Sequence, residues 1–263
     1  MNDKIVAKLT NGIALIVLAF MLLPIIVLFL NAFNASRIFE FPPRGFTLEW
    51  FIQLSNSQEY QTSIRVSTML AISAVVLALV TGVPAAFAID RYQFPGRNFM
   101  QGLFLSPLLL PSIVWAVGLV QYYARLRILG SFPGMVLAHS IIIIPYVIRL
   151  VLSSFAFLDR ELENAARSLG ASPIRTFFEI TVPLIIPGII ISAIFGFMIS
   201  FTDVVVSSFV SGALYIPFPV RVYSELRSEG IDPLTIAISA VIMAAIILIA
   251  LVGEKMIHWS KYV

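Results

Sequence analysis

The sequence predicts an all-α, polytopic membrane protein, and three observations support this prediction. Hydrophobic residues make up 59% of the 263-residue chain and charged residues only 12%, whereas charged residues are about 25% of a soluble domain. The mean hydropathy of +0.98 indicates that much of the folded surface faces lipid. Six apolar stretches each reach or exceed the roughly 20 residues that a helix needs to cross a bilayer.

The six predicted transmembrane helices follow one another along a single domain, residues 1–263, without a tandem repeat. The first has an apolar core longer than the 7–15 residues of a signal peptide, so we interpret it as a retained span. Prolines within several spans are tolerated in membrane helices and favour a transporter over a simple anchor. The predicted spans lie at about 11–33, 67–89, 99–122, 132–157, 184–211 and 234–253.

The segment between the first two spans, about residues 34–66, is the longest one predicted to lie on the outer side of the membrane. It contains two adjacent prolines followed by an amphipathic stretch around Phe46–Phe51. We expect a loop with a short helix there, in which Trp50 and Tyr60 suit the headgroup belt of aromatic residues. Lys4 and Lys8 precede the first span, which favours an N-terminus and a C-terminus on the inner side.

A long polar break, about residues 158–183, separates the fourth and fifth spans and has the features of a docking loop. Leu162, Ala166 and Leu169 lie at i, i+4 and i+7, so a helix would carry them on one narrow apolar stripe. Gly170 is a natural helix end because glycine adopts the left-handed conformation without steric cost. Ser172-Pro173 then reads as the N-cap and first residue of a second helix.

The fifth predicted span carries an acidic residue, Asp203, within otherwise apolar sequence. A carboxylate in the hydrocarbon costs about 2.5–3.5 kcal/mol on insertion scales, so it normally faces a cavity or a partner. Small or polar residues share its helical face, which indicates either a solute pathway or close helix packing, and both remain open at different depths. This stripe consists of Ser192, Gly196, Ser200, Asp203, Ser207 and Ser211.

The chain lacks the residue patterns of an enzyme or a nucleic-acid-binding protein. It has no phosphate-binding loop and no His-Glu-x-x-His or Gly-x-Ser-x-Gly sequence. It has no cysteine, its net charge is only +3, and its basic residues are scattered singly. The two histidines, His139 and His258, are far apart in sequence, and we interpret each as a structural residue.

The polar break resembles the cytoplasmic signature of ABC-importer permeases, in which Glu-Ala-Ala is followed by a spaced Gly and then by Ile-x-Leu-Pro. Asn164 stands where the family usually has Glu, and Val182 replaces the Leu. Segment 88–97 looks like the short cytoplasmic link after the second span of these permeases. Segment 203–212 closely resembles the C-type spermidine/putrescine permease subunit, and 217–224 and 230–233 are similar to it as well, so the resemblance covers nearly the whole chain. The positions in register are Ala165, Ala166, Gly170, Ile180 and Pro183.

The resemblance implies the type I importer fold in a bacterial inner membrane. Two permease subunits, here two different chains, would form the pathway, and an external binding protein would deliver the solute. A dimer of cytoplasmic ATPases would use ATP and Mg²⁺, so this chain would bind no cofactor or metal and would not be an enzyme. Contacts to the ATPase would come from Leu162, Glu163, Asn164, Ala165, Ala166, Leu169, Gly170, Ile180 and Pro183.

A polyamine or similar small cation is the cargo that the resemblance favours, with Ser200, Asp203 and Ser207 lining its path. Permeases for iron(III), sulfate, aminoethylphosphonate or amino acids share the same general frame and remain alternatives. A secondary transporter is a further alternative, but it usually needs several intramembrane charges for ion coupling, and Asp203 is nearly alone.

Overall fold

A computed structural model describes residues 3–156, 158–228 and 230–257 and shows an all-α chain, as predicted. Across these residues the only extended pairings are isolated bridges, Asn34 with Phe46 and Gly212 with Tyr215. The helices are α1 (Asp3–Ala32), α2 (Glu49–Asn56), α3 (Gln58–Arg91), α4 (Arg97–Leu105), α5 (Ser112–Leu126), α6 (Phe132–Phe155), α7 (Arg160–Ser168), α8 (Pro173–Thr176), α9 (Val182–Thr202), α10 (Val205–Val210), α11 (Phe218–Ser228) and α12 (Pro233–Ile257).

Five helical stretches in the described part of the chain are long and apolar enough to cross a membrane. Four of them match the predicted first, second, fourth and sixth spans, with ends that differ by at most four residues except at Gln58, where the second helix begins nine residues early. The fifth begins before the predicted span, since α8 continues into α9 through one π-helical turn, Phe177–Thr181. The stretches are Ala7–Ala32, Gln58–Arg91, Phe132–Phe155, Pro173–Thr202 and Pro233–Lys255.

The predicted third span, 99–122, is not one straight helix. Its two halves, Arg97–Leu108 and Ser112–Leu126, meet at an angle of 101°. Pro111 lies at the bend with an extended backbone, φ −56° and ψ 138°. Proline disfavours helical geometry in the residue before it and lacks the N–H that would continue the helix. The pair is therefore a broken span or a re-entrant loop.

The predicted fifth span, 184–211, is also interrupted, because α9 ends at Thr202 and α10 starts at Val205. Asp203 has an extended backbone, φ −69° and ψ 119°, and so terminates the helix. The expectation of one continuous polar face through Ser211 is therefore wrong beyond Ser200, since the helical register is lost at the break.

Contacts divide the chain into two compact units, and α3, α11 and α12 contribute residues to both. The first unit comprises residues up to Gln61 and Val222–Ala245. Its small core joins Ala32 of α1 to Ile236 and Ala240 of α12. The membrane-length part of α1 leaves its apolar side chains exposed, as expected of a surface that faces lipid or another subunit.

Within this first unit the short helix predicted after the paired prolines is present as α2, but its aromatic residues face inward. The indole N–H of Trp50 donates to the carbonyl oxygen of Asn34 over 2.8 Å. The hydroxyl of Tyr60 donates to the carboxylate of Glu225. Both rings are buried, so the expectation that they sit in a headgroup belt is wrong.

The second unit comprises Thr62–Arg221 and the residues from Ile246 onward, and α6 lies at its centre. One apolar cluster joins α6 to α3 and α9, and another joins α6 to α5 and α10. Glycines permit the close approach: a Cβ placed on Gly196 of α9 would lie 2.8 Å from Ile143 Cγ2 of α6. This packing indicates that the small residues Ser192 and Gly196 of the predicted stripe serve close helix packing.

Candidate functional site

The signature loop folds as its sequence predicts. The carboxylate of Asp159 caps α7 by accepting the N–H of Glu161 over 3.0 Å. Gly170 ends the helix with φ +90°, and the N–H of Ala171 returns to the carbonyl of Ala166 over 3.1 Å. The Ser172 hydroxyl then accepts the N–H of Arg175 and caps α8, which Pro173 opens. The sequence prediction of both helices is confirmed.

One face of α7 is apolar and exposed. Leu162 and Ala165 are exposed, Ala166 is half-buried, and Leu169 just beyond the helix is 90% exposed. The apolar stripe predicted from Leu162, Ala166 and Leu169 is therefore at the surface, and its role as a docking face stays a prediction. Among the other predicted contact residues, Asn164, Gly170 and Pro183 are exposed, and Ile180 is half-buried.

Glu163, by contrast, points into the protein and is only 5% exposed. Its Oε2 accepts the Nε–H of Arg91 over 2.8 Å, and its Oε1 accepts an Nη2–H of the same guanidinium over 3.1 Å. The hydroxyl of Thr181 donates to Oε1 over 2.8 Å. The sequence placed Glu163 among the docking residues; the structure assigns its carboxylate to an internal ion pair.

This ion pair joins the two segments predicted to lie on the cytoplasmic side. Arg91 is the last residue of α3, and its guanidinium lies over the ring of Phe155 at 5.1 Å. Asp90 also contacts Arg91 and accepts a hydrogen bond from Arg160 of α7 over 3.2 Å. The end of α3 therefore holds α7 through two pairs of opposite charge. Sequence reasoning missed Arg91 because 72 residues separate it from Glu163.

The second candidate site surrounds the break between α9 and α10. Asp203 is half-buried, and its Oδ2 accepts the N–H of Ser207 over 2.7 Å, which caps α10. Ser200 and Ser207 are buried, and their hydroxyls contact the two ring nitrogens of His139. Of the three residues predicted to line a solute path, only Asp203 is partly exposed, and that role stays a prediction for all three.

The predicted stripe has different surroundings at its N-terminal residues, Ser192 and Gly196, than at the helix break. Ser192 is buried, and its hydroxyl donates to the carbonyl of Gly188 within α9 over 2.7 Å. A Cβ on Gly188 would lie 1.9 Å from Ser154 Oγ of α6. The part of the stripe at Ser192 and Gly196 is therefore a packing surface, whereas Ser200, Asp203 and Ser207 lie in a polar cluster around the helix break. His139 belongs to this group, and its ring is satisfied as expected, since each ring nitrogen contacts a serine hydroxyl; His258 lies outside the described residues.

Comparison with known proteins gives consistent relatives over almost the full length. The chain is 32% identical over 254 residues to the spermidine/putrescine transport system permease protein PotC of Haemophilus influenzae, covering 95% of this chain and 98% of that protein. It is 31% identical to PotC of Escherichia coli, covering 96% and 95%. It is 30% identical to the putrescine transport system permease protein PotI of Escherichia coli, covering 94% and 90%.

Solved structures support the fold at lower sequence identity. A chain of a bacterial ABC transporter involved in the import of alginate matches with a TM-score of 0.76 at 18% identity, covering 97% of both chains. A chain of the inward-facing MetNI methionine ABC transporter matches with a TM-score of 0.60 at 13% identity, covering 81% of this chain and 98% of that one. These matches confirm the predicted fold of type I importer permeases.

The family model of the inner membrane component of binding-protein-dependent transport systems matches residues 78–257. This range contains the signature loop, its Arg91 anchor and the α9–α10 break. The chain therefore belongs to the family of inner-membrane permease components of binding-protein-dependent transport systems.

Proposed function

We propose that this chain is the permease subunit of an ATP-driven importer whose cargo is a polyamine. The observation that carries the proposal is the identity of 30% or more to polyamine permeases, PotC and PotI, over at least 94% of the chain. The relative named for molybdate and tungstate, WtpB of Pyrococcus abyssi, is 30% identical over only 54% of this chain. The full-length relatives thus favour an organic cation.

The charge at the α9–α10 break agrees with a cationic cargo. One carboxylate oxygen of Asp203 caps α10, and the other, Oδ1, accepts no hydrogen bond from the residues that the structure describes. An ammonium group is attracted by a carboxylate in a site of low dielectric, and an anion is repelled by it. Molybdate, sulfate or phosphonate would meet an unfavourable charge at this position.

The exposed face of α7 suits a partner that moves the permease from the cytoplasmic side. Leu169, between α7 and α8, and Ile174, in the first turn of α8, expose most of their side chains. Ala165 and Ala166 leave room for a close backbone approach. We assign this face to a cleft on the ATPase, and we assign Glu163 and Arg91 to holding the loop against α3 so that movement of the loop reaches the spans.

The remaining parts of the importer follow from the same assignment. ATP and Mg²⁺ are bound by a separate ATPase dimer, so this chain is non-catalytic and carries no cofactor. A second, different permease chain completes the pathway, and an external binding protein delivers the polyamine. The chain is a multi-pass protein of the bacterial inner membrane in which the bent α4–α5 pair is one of six spans, so both termini and α7 lie on the cytoplasmic, ATPase side.

Uptake by a deletion strain tests the cargo. A host strain that lacks only this gene is expected to lose most of its uptake of radiolabelled putrescine or spermidine, and a plasmid copy is expected to restore it. Molybdate and methionine uptake, measured in the same cells, serve as controls and are expected to stay unchanged. Normal polyamine uptake together with loss of either control solute would overturn the proposed cargo.

A further inference from the structure

His139 is fully buried in α6, and both nitrogens of its ring are hydrogen-bonded. Nδ1 lies 2.7 Å from Ser200 Oγ, and Nε2 lies 3.1 Å from Ser207 Oγ. Burying an imidazole is unfavourable unless its polar atoms are paired, and here both are. A buried apolar residue would fill the same space, so the polar ring requires a further explanation.

The two serines lie on opposite sides of the helix break. Ser200 is in the last turn of α9, and Ser207 is in α10. Between the helices Asp203 has an extended backbone, φ −69° and ψ 119°, so a continuous helix does not set the angle at which α10 leaves α9. The ring of His139 is thus a bridge between two helices that would otherwise be joined by two residues.

The same bridge leads directly to the Asp203 carboxylate. The hydroxyl of Ser207 contacts His139, and the backbone N–H of Ser207 donates to Asp203 Oδ2 over 2.7 Å. A displacement of Ser207 therefore moves the donor that orients this carboxylate. Because Asp203 is half-buried and Ser207 fully buried, the orientation of the partly exposed acid is set from inside the protein.

The other end of α10 is held as well. The N–H of Gly130, just before α6, donates to the carbonyl of Val210 over 3.2 Å. Gly130 and Gly212 approach so closely that a Cβ on Gly212 would lie 2.7 Å from the carbonyl oxygen of Gly130. With both ends of α10 tied to α6 or to the turn before it, the short helix is fixed as a unit.

We propose that His139 is a positioning residue for the solute path: by bridging Ser200 and Ser207 it fixes the α9–α10 break and orients the Asp203 carboxylate toward the cation. The inference rests on the proposed polyamine cargo. His139 does not touch the solute, since its ring is enclosed by protein. Its effect on transport passes through Ser207 and Asp203.

Histidine suits this place because neutral imidazole has one donor and one acceptor nitrogen, while a serine hydroxyl can act as either. A leucine of similar size would leave the hydroxyls of Ser200 and Ser207 without their hydrogen-bond partner in α6. An asparagine carries its amide at the distance of Nδ1, so it reaches Ser200 alone. A glutamine carries its amide at the distance of Nε2, so it reaches Ser207 and preserves the link to Asp203.

The substitutions His139→Gln, His139→Asn and His139→Leu therefore rank by the contact that each retains. Loss of a buried hydrogen bond of this kind corresponds to about a tenfold change in an equilibrium constant. We expect His139→Leu and His139→Asn to raise the KM for polyamine uptake about tenfold, and His139→Gln to raise it less. Ser207→Ala is expected to resemble His139→Asn, whereas Ser208→Ala, an exposed serine on the same helix, leaves the KM unchanged.

A double-mutant cycle separates positioning from general stability. If His139 acts through the carboxylate, then His139→Leu raises the KM in the wild-type background but not in the Asp203→Asn background. Equal effects in both backgrounds would show a structural role only and overturn the inference. If His139→Leu is not inserted, the same cycle is measured with Ser207→Ala in its place.

A second measurement does not depend on the cargo. The chain contains no cysteine, so Val204→Cys introduces a single thiol at the break. The rate at which a small cationic thiol reagent modifies it is expected to change several-fold with His139→Leu and little with His139→Gln. Equal rates in all three backgrounds would overturn the proposed bridge by His139. A wild-type strain that takes up no polyamine would overturn the proposed cargo alone.

Discussion

Arg91 at the end of α3 binds Glu163 in the middle of α7 through two hydrogen bonds, 2.8 Å and 3.1 Å long. Both side chains are more than nine-tenths buried. The signature loop is therefore joined to a membrane-length helix by a paired charge inside the protein, and its exposed apolar face remains available to a partner. The two hydrogen bonds fix the orientation of the guanidinium against the carboxylate and so hold α7 at the end of α3.

The first prediction concerns stability of the Arg91–Glu163 pair. Removing one partner of a buried ion pair leaves an uncompensated charge and costs about 3–5 kcal/mol. Glu163→Ala and Arg91→Met should each lower the melting temperature of the detergent-purified protein substantially. Asn164→Ala, the neighbouring exposed residue, serves as the control and should melt as the wild type does.

The double variant Arg91→Met/Glu163→Met tests the same pair from the other direction. Apolar residues of similar size can replace both charges with little loss of stability. The double variant should therefore melt above either single variant. It should still transport poorly, because flexible methionines do not hold α7 in one orientation. A double variant less stable than both single variants would contradict this account.

The second prediction concerns the end of α7. A Cβ on Gly170 would meet no atom within 4 Å, so a side chain there is limited by the backbone, which has φ +90°. The left-handed conformation costs most residues about 1–2 kcal/mol, and asparagine tolerates it better than a β-branched residue. We expect Gly170→Val to reduce uptake strongly and Gly170→Asn to keep most of it, at equal permease levels in the membrane. Equal uptake by both variants would show that the turn at Gly170 does not position the exposed apolar face of α7.

The turns of the signature loop could be predicted from the sequence because their causes are local. Gly170, Ser172 and Pro173 each act on the backbone within four residues of themselves. The inward position of Glu163 could not be predicted in the same way. Its partners, Arg91 and Thr181, are 72 and 18 residues away, and nothing near Glu163 distinguishes a buried acid from an exposed one.

The two broken spans differ in how far the sequence could reveal them. Pro107 and Pro111 lie four residues apart and gave a local reason for the bend in the third span. The fifth span has no proline or glycine at its break, and its apolar composition favours a continuous helix. There the Asp203 cap on α10 is local, but the contacts of His139 with Ser200 and Ser207 come from α6 and could not be read from the neighbouring sequence.

The third prediction compares two helical glycines. A Cβ on Gly188 would lie 1.9 Å from Ser154 Oγ and 2.8 Å from Ser154 Cβ, whereas a Cβ on Gly118 would meet no atom within 4 Å. Overpacking costs about 1–3 kcal/mol, and alanine gains about 0.5–1 kcal/mol over glycine within a helix. Gly188→Ala should therefore lower the melting temperature, and Gly118→Ala should raise it slightly. A change of the same sign for both would contradict the packing of α9 on α6.

The last prediction concerns the charge of Asp203. Asp203→Asn keeps an oxygen that can still accept the N–H of Ser207, so the cap on α10 and the helix break should persist. The substitution removes the negative charge, which in our proposal attracts the ammonium groups of the cargo. We expect a higher KM for polyamine uptake, with a normal amount of permease in the membrane and normal association with the ATPase. Asp203→Ala, which removes the cap as well as the charge, should in addition lower the melting temperature. Wild-type uptake kinetics in Asp203→Asn would show that the carboxylate acts only as a helix cap and would remove it from the solute path.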